Sequence, residues 1–323
     1  MTAAAENQSM ALVGLGGVGG YIGSLLACRF PQTQLVVRGE RGERIRRNGY
    51  MLHSDVNGEI PVRPRHVVSS AAHLKDPRII FICVKNYSLE ETCSQLEQAV
   101  KPGTVLVPVM NGVSAAEYLK ARFPQAIVLD CVIYIIAYLN ADDSVTQMDQ
   151  DCRVNLGVKD ADGNAQKQQA LRSVYEIMRS AEIPVFLPED IGAAVWEKFI
   201  LNCAYNVETA AYGEDIGPLR EDPDKAREYS ALLAEACAVA RAKGIRVADD
   251  LQERMYRRFT DVYSYHASSS LQRDLAAGKQ TEHAVFSSYI LKEARAKGIS
   301  VPVTKKMDAL IQEQVRSIQR EQD

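Results

Sequence analysis

A glycine-rich turn near the start of the chain limits its fold more than any other feature. The apolar run Met10–Val13 is typical of a buried parallel strand and leads directly into the pattern Gly-x-Gly-x-x-Gly at residues 14–19. The apolar periodicity of Tyr21–Arg29 then predicts a helix. A strand, this turn and a helix in that order favour a dinucleotide-binding unit over a glycine turn with only a structural role.

The residues of this turn suit a pyrophosphate group for physical reasons. Gly14 permits a tight turn, Gly16 permits close approach of the phosphates, and Gly19 permits the helix to pack on the strand. The unpaired N–H groups and the positive dipole end of the helix then face the phosphates. We therefore predict that the cofactor is bound by Gly14, Leu15, Gly16, Gly17, Val18 and Gly19.

The end of the second predicted strand, Gln34–Val37, bears on the choice between NAD and NADP. The next residue is Arg38, whereas NAD-binding versions carry an acidic residue that bonds to the ribose 2′-OH. Arg38 favours the 2′-phosphate of NADP, and Arg41 is available as a second contact. Glu40 argues the other way, because its carboxylate would take the acidic role or repel a phosphate. An exposed Arg with no role is the remaining alternative.

Polar residues end two further apolar strands. Lys85 directly follows Ile79–Val84, and Asn111-Gly112 follows Val105–Met110. In an open parallel sheet, ligands bind outside the carboxyl ends of the strands. Polar residues at strand ends are often only turn formers, and Asn-Gly is a common turn dipeptide. Because several such features, including the glycine-rich turn, would share one edge of the sheet, we predict a ligand site there.

The pattern of the chain changes near residue 187. Before it, strand-like and helical runs alternate, with Ile127–Ala137 predicted as one strand and Asp142–Val158 as an antiparallel ribbon; after it, helical periodicity continues to the end. A chain of 323 residues is also longer than one ordinary core. We therefore predict an α/β Rossmann-type domain with a doubly wound sheet at residues 1–187, followed by an all-α domain at residues 188–323.

A second stretch that carries chemistry is Trp196–Asn206, which lies just past this change. It contains no Gly or Pro and is mostly apolar, so it predicts a buried helix. Lys198, Asn202 and Asn206 recur every fourth residue and so occupy one stripe of that helix. Such groups are costly to bury unless a substrate, a neighbouring loop or water meets them. Because sites often lie at domain interfaces, we expect the stripe to face the cofactor edge of the sheet.

Composition excludes several classes of partner. A net charge of −3 with interspersed signs is typical of a soluble globular protein, with no nucleic-acid groove and no polybasic membrane patch. The uncharged stretch Met10–Cys28 is too rich in Gly for a membrane helix, and no basic residue precedes it as in a signal peptide. The seven cysteines form no CxxC pair and the histidines no metal-ligand pattern, so we predict a cytoplasmic protein with reduced thiols and no metal.

Taken together, the motifs resemble the ketopantoate reductase family over nearly the whole chain. They are the glycine-rich turn, Lys85, Asn111-Gly112, Trp-x-Lys-x-x-x-Asn-x-x-x-Asn at residues 196–206, and Ser-Ser-Leu-Gln-Arg-Asp-Leu-Ala-Ala-Gly-Lys-Gln-Thr-Glu at residues 269–282. The resemblance implies a reductase that converts 2-dehydropantoate to pantoate with NADPH, in pantothenate synthesis. It also implies a small 2-oxo acid as the binding partner. An all-helical second domain would be able to supply a homodimer interface.

The resemblance also implies roles for individual residues. Lys198 looks like the catalytic lysine, which polarises the keto oxygen and supplies a proton as hydride transfer builds negative charge there. Glu282 resembles the acid beside the active site that contacts substrate or cofactor, although an acid in the first turn of a helix is also stabilised by the dipole. The substrate-holding residues it implies are Asn111, Asn202, Asn206 and Ser270. The cofactor-binding residues beyond the turn are Arg38, Lys85, Asn111 and Glu282.

The chain departs from the family pattern beside these residues. The family often has Gln where this chain has Met110, Met where it has Leu271, and Arg-Pro where it has Lys279-Gln280. These changes bear on which 2-oxo acid is the substrate more than on the fold or the hydride chemistry. Two alternatives therefore stay open: a reductase of another 2-oxo acid, and a protein that binds NADP without turnover.

Overall fold

Strands and helices alternate through the first part of the chain, as its sequence predicts. The computed structural model describes residues 9–159 and 164–322, so most of the predicted lead-in at 1–9 and loop at 160–164 lies outside the described residues. The strands are β1 (Met10–Val13), β2 (Gln34–Val36), β3 (Tyr50–Ser54), β4 (Gly58–Val62), β5 (His66–Val68), β6 (Ile79–Ile82), β7 (Val105–Pro108), β8 (Ile127–Val128), β9 (Asp130–Leu139), β10 (Val145–Gly157) and β11 (Val185–Phe186). The α-helices among them are α1 (Gly17–Arg29), α2 (Gly39–Asn48), α3 (Leu89–Leu96), α4 (Ala115–Arg122) and α5 (Ala165–Ser180).

A parallel sheet of six strands is the centre of this part, in the order β5-β2-β1-β6-β7-β8. Successive residues of β1 face opposite sides: Met10 and Leu12 join one core with α1, while Ala11 and Val13 join another with α3 and α4. Both faces are therefore covered, which explains why the strands are almost wholly apolar. From β1 the chain adds β2 and β5 on one side, and then β6, β7 and β8 on the other side. The carboxyl ends of β1 and β6 therefore flank the switch point of a doubly wound sheet. The predicted fold class is confirmed.

A second sheet covers the other side of α1. Its order is β11-β10-β3-β4, and β9 pairs antiparallel with β10. The prediction of an antiparallel ribbon within Asp142–Val158 is wrong, because that stretch forms the single strand β10 and its antiparallel partner is the preceding strand. The prediction of one strand at Ile127–Ala137 is wrong, because β8 belongs to the first sheet and β9 to the second. The chain changes sheets at Leu129, whose N–H still bonds to the carbonyl of Leu106. Helix α1 is apolar on most sides because it packs against both sheets; a Cβ on Gly20 would lie 2.5 Å from Val145.

Helices replace strands in the rest of the described chain. They are α6 (Ile191–Tyr212), α7 (Ile216–Glu221), α8 (Pro223–Ala242), α9 (Leu251–Arg257), α10 (Ser270–Ala276), α11 (Ser287–Lys297) and α12 (Pro302–Gln322), with a π-helical turn at Arg258–Val262 and a 3-10 turn at His283–Val285. The chain forms two compact units, Met1–Ala194 and Val195–Asp323, so the division falls within α6. No helix among the described residues is long and apolar enough to cross a membrane.

Candidate active site

The glycine-rich turn has the geometry that a pyrophosphate requires. Gly14 has a positive φ of 96° and lies so close to β6 that a Cβ would sit 2.6 Å from the carbonyl oxygen of Cys83. A Cβ on Gly19 would lie 1.9 Å from the carbonyl oxygen of Gly14, so only glycine allows α1 to pack here. Nothing lies within 4 Å of a Cβ on Gly16. The space above Gly16 and the start of α1 at Gly17 therefore fit a dinucleotide whose phosphates accept hydrogen bonds from backbone N–H groups.

The two arginines after β2 point in different directions. Arg38 is 55% exposed and forms an ion pair with Glu91 of α3, at 3.1 Å. Arg41 instead turns inward, and its Nη1 donates a hydrogen bond to the carbonyl oxygen of Leu15 at 2.5 Å. Arg38 is thus exposed after the end of β2, whereas Arg41, the second phosphate contact that the sequence suggests, is turned towards the glycine-rich turn.

Lys85 and Asn111 lie at the ends of neighbouring strands. Backbone hydrogen bonds continue beyond the ends of the strands, from the N–H of Cys83 to the carbonyl of Val13 and from the N–H of Val109 to the carbonyl of Ile82. The parallel register is therefore kept at the strand ends. Nδ2 of Asn86 donates to the carbonyl oxygen of Asn111 at 2.9 Å and joins the two loops. Both predicted residues are half-buried. The structure therefore brings them to the edge that carries the glycine-rich turn.

The predicted stripe on α6 is a hydrogen-bonded chain. Nδ2 of Asn206 donates to Oδ1 of Asn202 at 3.1 Å, and Oγ of Ser270 donates to Oδ1 of Asn206 at 3.2 Å. The two Asn side chains are buried, at 8% and 5% exposure, so these bonds satisfy groups that would otherwise be costly. Lys198 lies one turn before Asn202 and is half-buried. Residues predicted from two separate motifs, 196–206 and 269–282, thus lie on one helix face or directly beside it.

A capping box that the sequence analysis missed holds Ser270 in place. Ser269 caps α10 by accepting a hydrogen bond from the N–H of Gln272, whose side chain accepts one from the N–H of Ser269. Oγ1 of Thr209 lies 2.7 Å from Oγ of Ser269, which ties this cap to α6. The spacing Ser-x-x-Gln before an apolar run is the signal that would have revealed it.

Glu282 does not have the helical position that the sequence predicts. The apolar periodicity of Glu282–Lys297 predicts one helix, but a 3-10 turn at His283–Val285 is separated from α11 by Phe286. Glu282 precedes that turn, makes no capping hydrogen bond to it and is only 6% exposed. Stabilisation by the dipole of a long helix is therefore not the reason for this buried acid. Phe286 is buried and stacks on Phe199 of α6, with ring centroids 6.4 Å apart, which fixes the segment after Glu282.

Metal and thiol chemistry have little support in the described part of the chain. No group of three or more His, Cys, Asp or Glu residues is placed to hold a metal ion there. All seven cysteines are free thiols. Burial raises the pKa of the Cys203 thiol, which lies on α6 between the two Asn residues, so this side chain is a poor nucleophile.

The fold and these side chains define a class of protein. The first unit has a switch point with an open glycine turn, and the second carries a lysine one turn from a hydrogen-bonded pair of amides. These features are typical of an oxidoreductase that uses a nicotinamide dinucleotide. Residues 10–160 match the family model described as ketopantoate reductase PanE/ApbA, and residues 190–315 match the model of its C-terminal part. The chain belongs to the ketopantoate reductase family, as its motifs predict.

Individual proteins resemble the chain over almost its whole length. An uncharacterized oxidoreductase of Bacillus subtilis, YkpB, is 26% identical over 93% of this chain and 97% of its own length. A 2-dehydropantoate 2-reductase of Halobacterium salinarum is 25% identical over 92% of this chain and 96% of its own length. A PanE/ApbA family ketopantoate reductase from Ralstonia eutropha has the same fold, with a TM-score of 0.86, 24% identity, and coverage of 96% of this chain and 99% of that one.

Proposed function

We propose that the protein reduces 2-dehydropantoate to pantoate with NADPH. The observation that carries this proposal is the chain of hydrogen bonds from Ser270 through Asn206 to Asn202, one turn from Lys198. It places neutral donors and a cation on one face, which suits a substrate with carboxylate, hydroxyl and keto groups. Similarity to proteins named 2-dehydropantoate 2-reductase supports the choice of substrate.

The direction of these hydrogen bonds gives the two Asn residues different roles in the proposal. Oδ1 of Asn206 faces Oγ of Ser270 and, at 3.5 Å, the backbone N–H of Leu271, which is always a donor. The amide nitrogen of Asn206 must then face Oδ1 of Asn202. Asn202 is left with its own amide nitrogen to offer, so we assign it as a donor to the substrate. Asn206 and Ser270 orient it and complete the wall of the substrate site.

Lys198 is proposed to act on the keto oxygen. When bound, the nicotinamide cofactor supplies the hydride that adds to the keto carbon. In this proposal, the Lys198 ammonium group stabilises the negative charge that develops on oxygen and then gives that oxygen a proton. Glu282, Lys85 and Asn111 are proposed to contact the nicotinamide end of the cofactor, with Glu282 and Asn111 also bordering the substrate.

NADPH is proposed over NADH because Arg38, two residues after β2, has an exposed guanidinium group. Arginine forms bidentate hydrogen bonds to a phosphate, and NADH lacks the 2′-phosphate that would accept them. Replacement of Arg38 by Ala should weaken NADPH binding and leave NADH binding unchanged. A variant that loses affinity for both cofactors equally would argue against this assignment.

The rate of NADPH oxidation with 2-dehydropantoate tests the proposal, with wild type beside Lys198→Ala. We expect kcat of the variant to fall by about 100-fold or more, the usual contribution of a positioned acid, while the Kd of NADPH stays near wild type. Lys292→Ala, at an exposed lysine of α11, is the matched control and should keep full activity. Wild-type turnover by the Lys198 variant would remove the catalytic assignment.

A second candidate is a reductase of another 2-oxo acid. Met110, Leu271 and Lys279 differ from the residues that the family often carries, and the Bacillus subtilis relative is named only as an oxidoreductase. A panel of 2-oxo acids assayed with NADPH separates the two candidates by kcat/KM. Tight NADPH binding with no oxidation by any member of the panel would instead indicate a protein that binds the cofactor without turnover.

We also propose that the protein works in the cytoplasm and forms a homodimer through its helical unit. Seven free thiols are suited to a reducing compartment. Light scattering on the purified protein measures the mass directly, and the monomer mass of 35.7 kDa at working concentration would exclude the dimer.

A further inference from the structure

We propose that Arg41 is a positioning residue that holds the glycine-rich turn in the shape that binds the dinucleotide. The inference rests on the proposed function only in requiring that a dinucleotide binds this turn. It assigns Arg41 a role distinct from that of Arg38, and it applies to NADPH and NADH alike.

The first contact is with the turn itself. Arg41 lies in the first turn of α2, and its side chain is 18% exposed. Its Nη1 donates to the carbonyl oxygen of Leu15 at 2.5 Å. Leu15 separates Gly14, which has a positive φ, from Gly16, above which the space is open. A charged donor on this carbonyl fixes the peptide plane between Leu15 and Gly16, and so the direction of the Gly16 N–H group.

The second contact is with the turn between β9 and β10. Nε of Arg41 lies 3.3 Å from Oδ1 of Asp143. Asp143 has a positive φ of 73° and accepts two hydrogen bonds from Arg44, at 2.6 and 3.1 Å. Arg44, with a further contribution from Arg41, holds the pKa of Asp143 below its usual range, so this carboxylate stays charged. Arg41 therefore links the glycine-rich turn to an anchored anion.

The strand before that anion also contacts the turn. A Cβ on Gly17 would lie 2.3 Å from the carbonyl oxygen of Ala137 in β9. The start of α1 is thus bounded by β9, while Arg41 holds the Leu15–Gly16 peptide just before it. Two independent contacts of the β9–β10 hairpin converge on four consecutive residues, Gly14 to Gly17. This convergence indicates support of the turn and not a general packing role.

Direct recognition of the phosphate by Arg41 does not fit these contacts. Nη1 is occupied by Leu15, Nε faces Asp143, and both Nε and Nη2 are buried, so none of these atoms is open to a ligand. Burial lowers the pKa of the guanidinium group, and the nearby Asp143 raises it. The group is enclosed by protein, whereas Arg38 is exposed at the strand end. Loss of Arg41 should therefore disturb the turn without removing a contact to the 2′-phosphate.

The experiment measures Kd for NADPH and for NADH by isothermal titration, without substrate, in wild type, Arg41→Ala and Arg44→Ala. We expect Arg41→Ala to weaken both cofactors by the same factor, about tenfold, as for one lost charge-assisted hydrogen bond. Arg44→Ala removes a positive charge from the same Asp143 but leaves the Leu15 bond, so its Kd values should stay within about twofold of wild type. The kcat of Arg41→Ala at saturating NADPH should match wild type, whereas KM for NADPH rises.

Three outcomes would overturn the proposal. They are unchanged Kd values in Arg41→Ala, a loss confined to NADPH, and an equal loss in Arg44→Ala. If Arg41→Ala does not fold, Arg41→Gln takes its place. This variant retains an amide donor near Leu15 and should show a smaller rise in Kd for both cofactors. A Gln variant with wild-type affinity for both cofactors and wild-type KM for NADPH would also refute the proposal. Because cofactor binding is measured alone, failure of 2-dehydropantoate turnover leaves the result interpretable.

Discussion

Glu208 on α6 gives a prediction about stability that depends on pH. Its side chain is 0% exposed, and neither carboxylate oxygen has a hydrogen-bond partner among the described residues. Burial, reinforced by the charge of Glu228, raises its pKa from 4.5 to about 9, although two lysines oppose this. The charged groups that face it are Glu214, Lys225, Glu228 and Lys306. Glu208 is therefore a neutral acid in the folded protein at pH 7.

The sign and the size of the effect follow from this pKa. Because the folded pKa is above the unfolded one, the folded state binds one more proton between pH 4.5 and about 9. Stability from this group is complete below pH 4.5 and is lost as the pH rises towards 9. The loss is about 1.4 kcal/mol per pH unit, so the step from about pH 6 to about pH 8 costs about 3 kcal/mol. In Glu208→Gln, this loss is absent.

Urea unfolding at these pH values measures the difference. Trp196 is the only tryptophan and lies in the same compact unit as Glu208, so its fluorescence reports the unfolding of that unit. Between about pH 6 and about pH 8, we expect the free energy of unfolding of Glu208→Gln to rise by about 3 kcal/mol relative to that of wild type. Glu313→Gln, at an exposed acid of α12, should show the same pH dependence as wild type. A difference between Glu208→Gln and wild type that does not vary with pH would refute the reasoning.

Three further predictions concern the cofactor and the substrate wall. Glu91→Gln should tighten NADPH binding by about two- to fivefold and leave the Kd of NADH unchanged, because an exposed ion pair of this kind competes weakly for Arg38; an equal change for both cofactors would contradict it. Ser269→Ala should cost about 1 kcal/mol in urea unfolding through loss of the α10 cap, and should raise KM for the 2-oxo acid while the Kd of NADPH stays constant. Gly16→Ala should keep wild-type stability but bind NADPH poorly, whereas Gly19→Ala should lose stability by thermal unfolding because its Cβ meets the Gly14 carbonyl; equal stability of the two variants would be the contrary result.

Most of the correct predictions came from sequence patterns within a single strand, turn or helix. The switch-point sheet followed from apolar runs that end in glycine or a polar residue, and the tight contact at Gly19 from a fixed spacing within one strand, turn and helix. The stripe of α6 followed from a period of four, and the side-chain hydrogen bond between Asn202 and Asn206 confirms that they share a face. In each case, the residues that meet are close in sequence, so the geometry of one element determines the contact.

Contacts between distant segments could not be read in the same way. The direction of Arg41 depends on Asp143, which belongs to a hairpin formed about a hundred residues later. The exchange of sheets at Leu129 interrupts an apolar run without any Gly or Pro to mark it. The position of Glu282 depends on Phe286, whose ring packs on Phe199 of another helix, and the helix begins only after it, at Ser287. Tertiary packing overrides local periodicity at each of these places.

On helix α6, the proposed catalytic side chains do not hydrogen-bond to Glu208, the buried acid that lowers stability as the pH rises. Replacing Asn206 would leave Oγ of Ser270 and the amide of Asn202 without their partners, so the stripe is costly to change for stability as well as for binding. Glu208, two residues later, has no such partners among the described residues, so its replacement leaves none of their polar groups without a hydrogen bond. Stabilising changes in this helix should therefore concentrate at Glu208 and leave kcat unaltered, whereas changes in the stripe should lower both stability and turnover. A Glu208→Gln protein that gains stability but loses kcat would show that the buried acid takes part in the chemistry, and the proposed separation of stability from catalysis along α6 would be wrong.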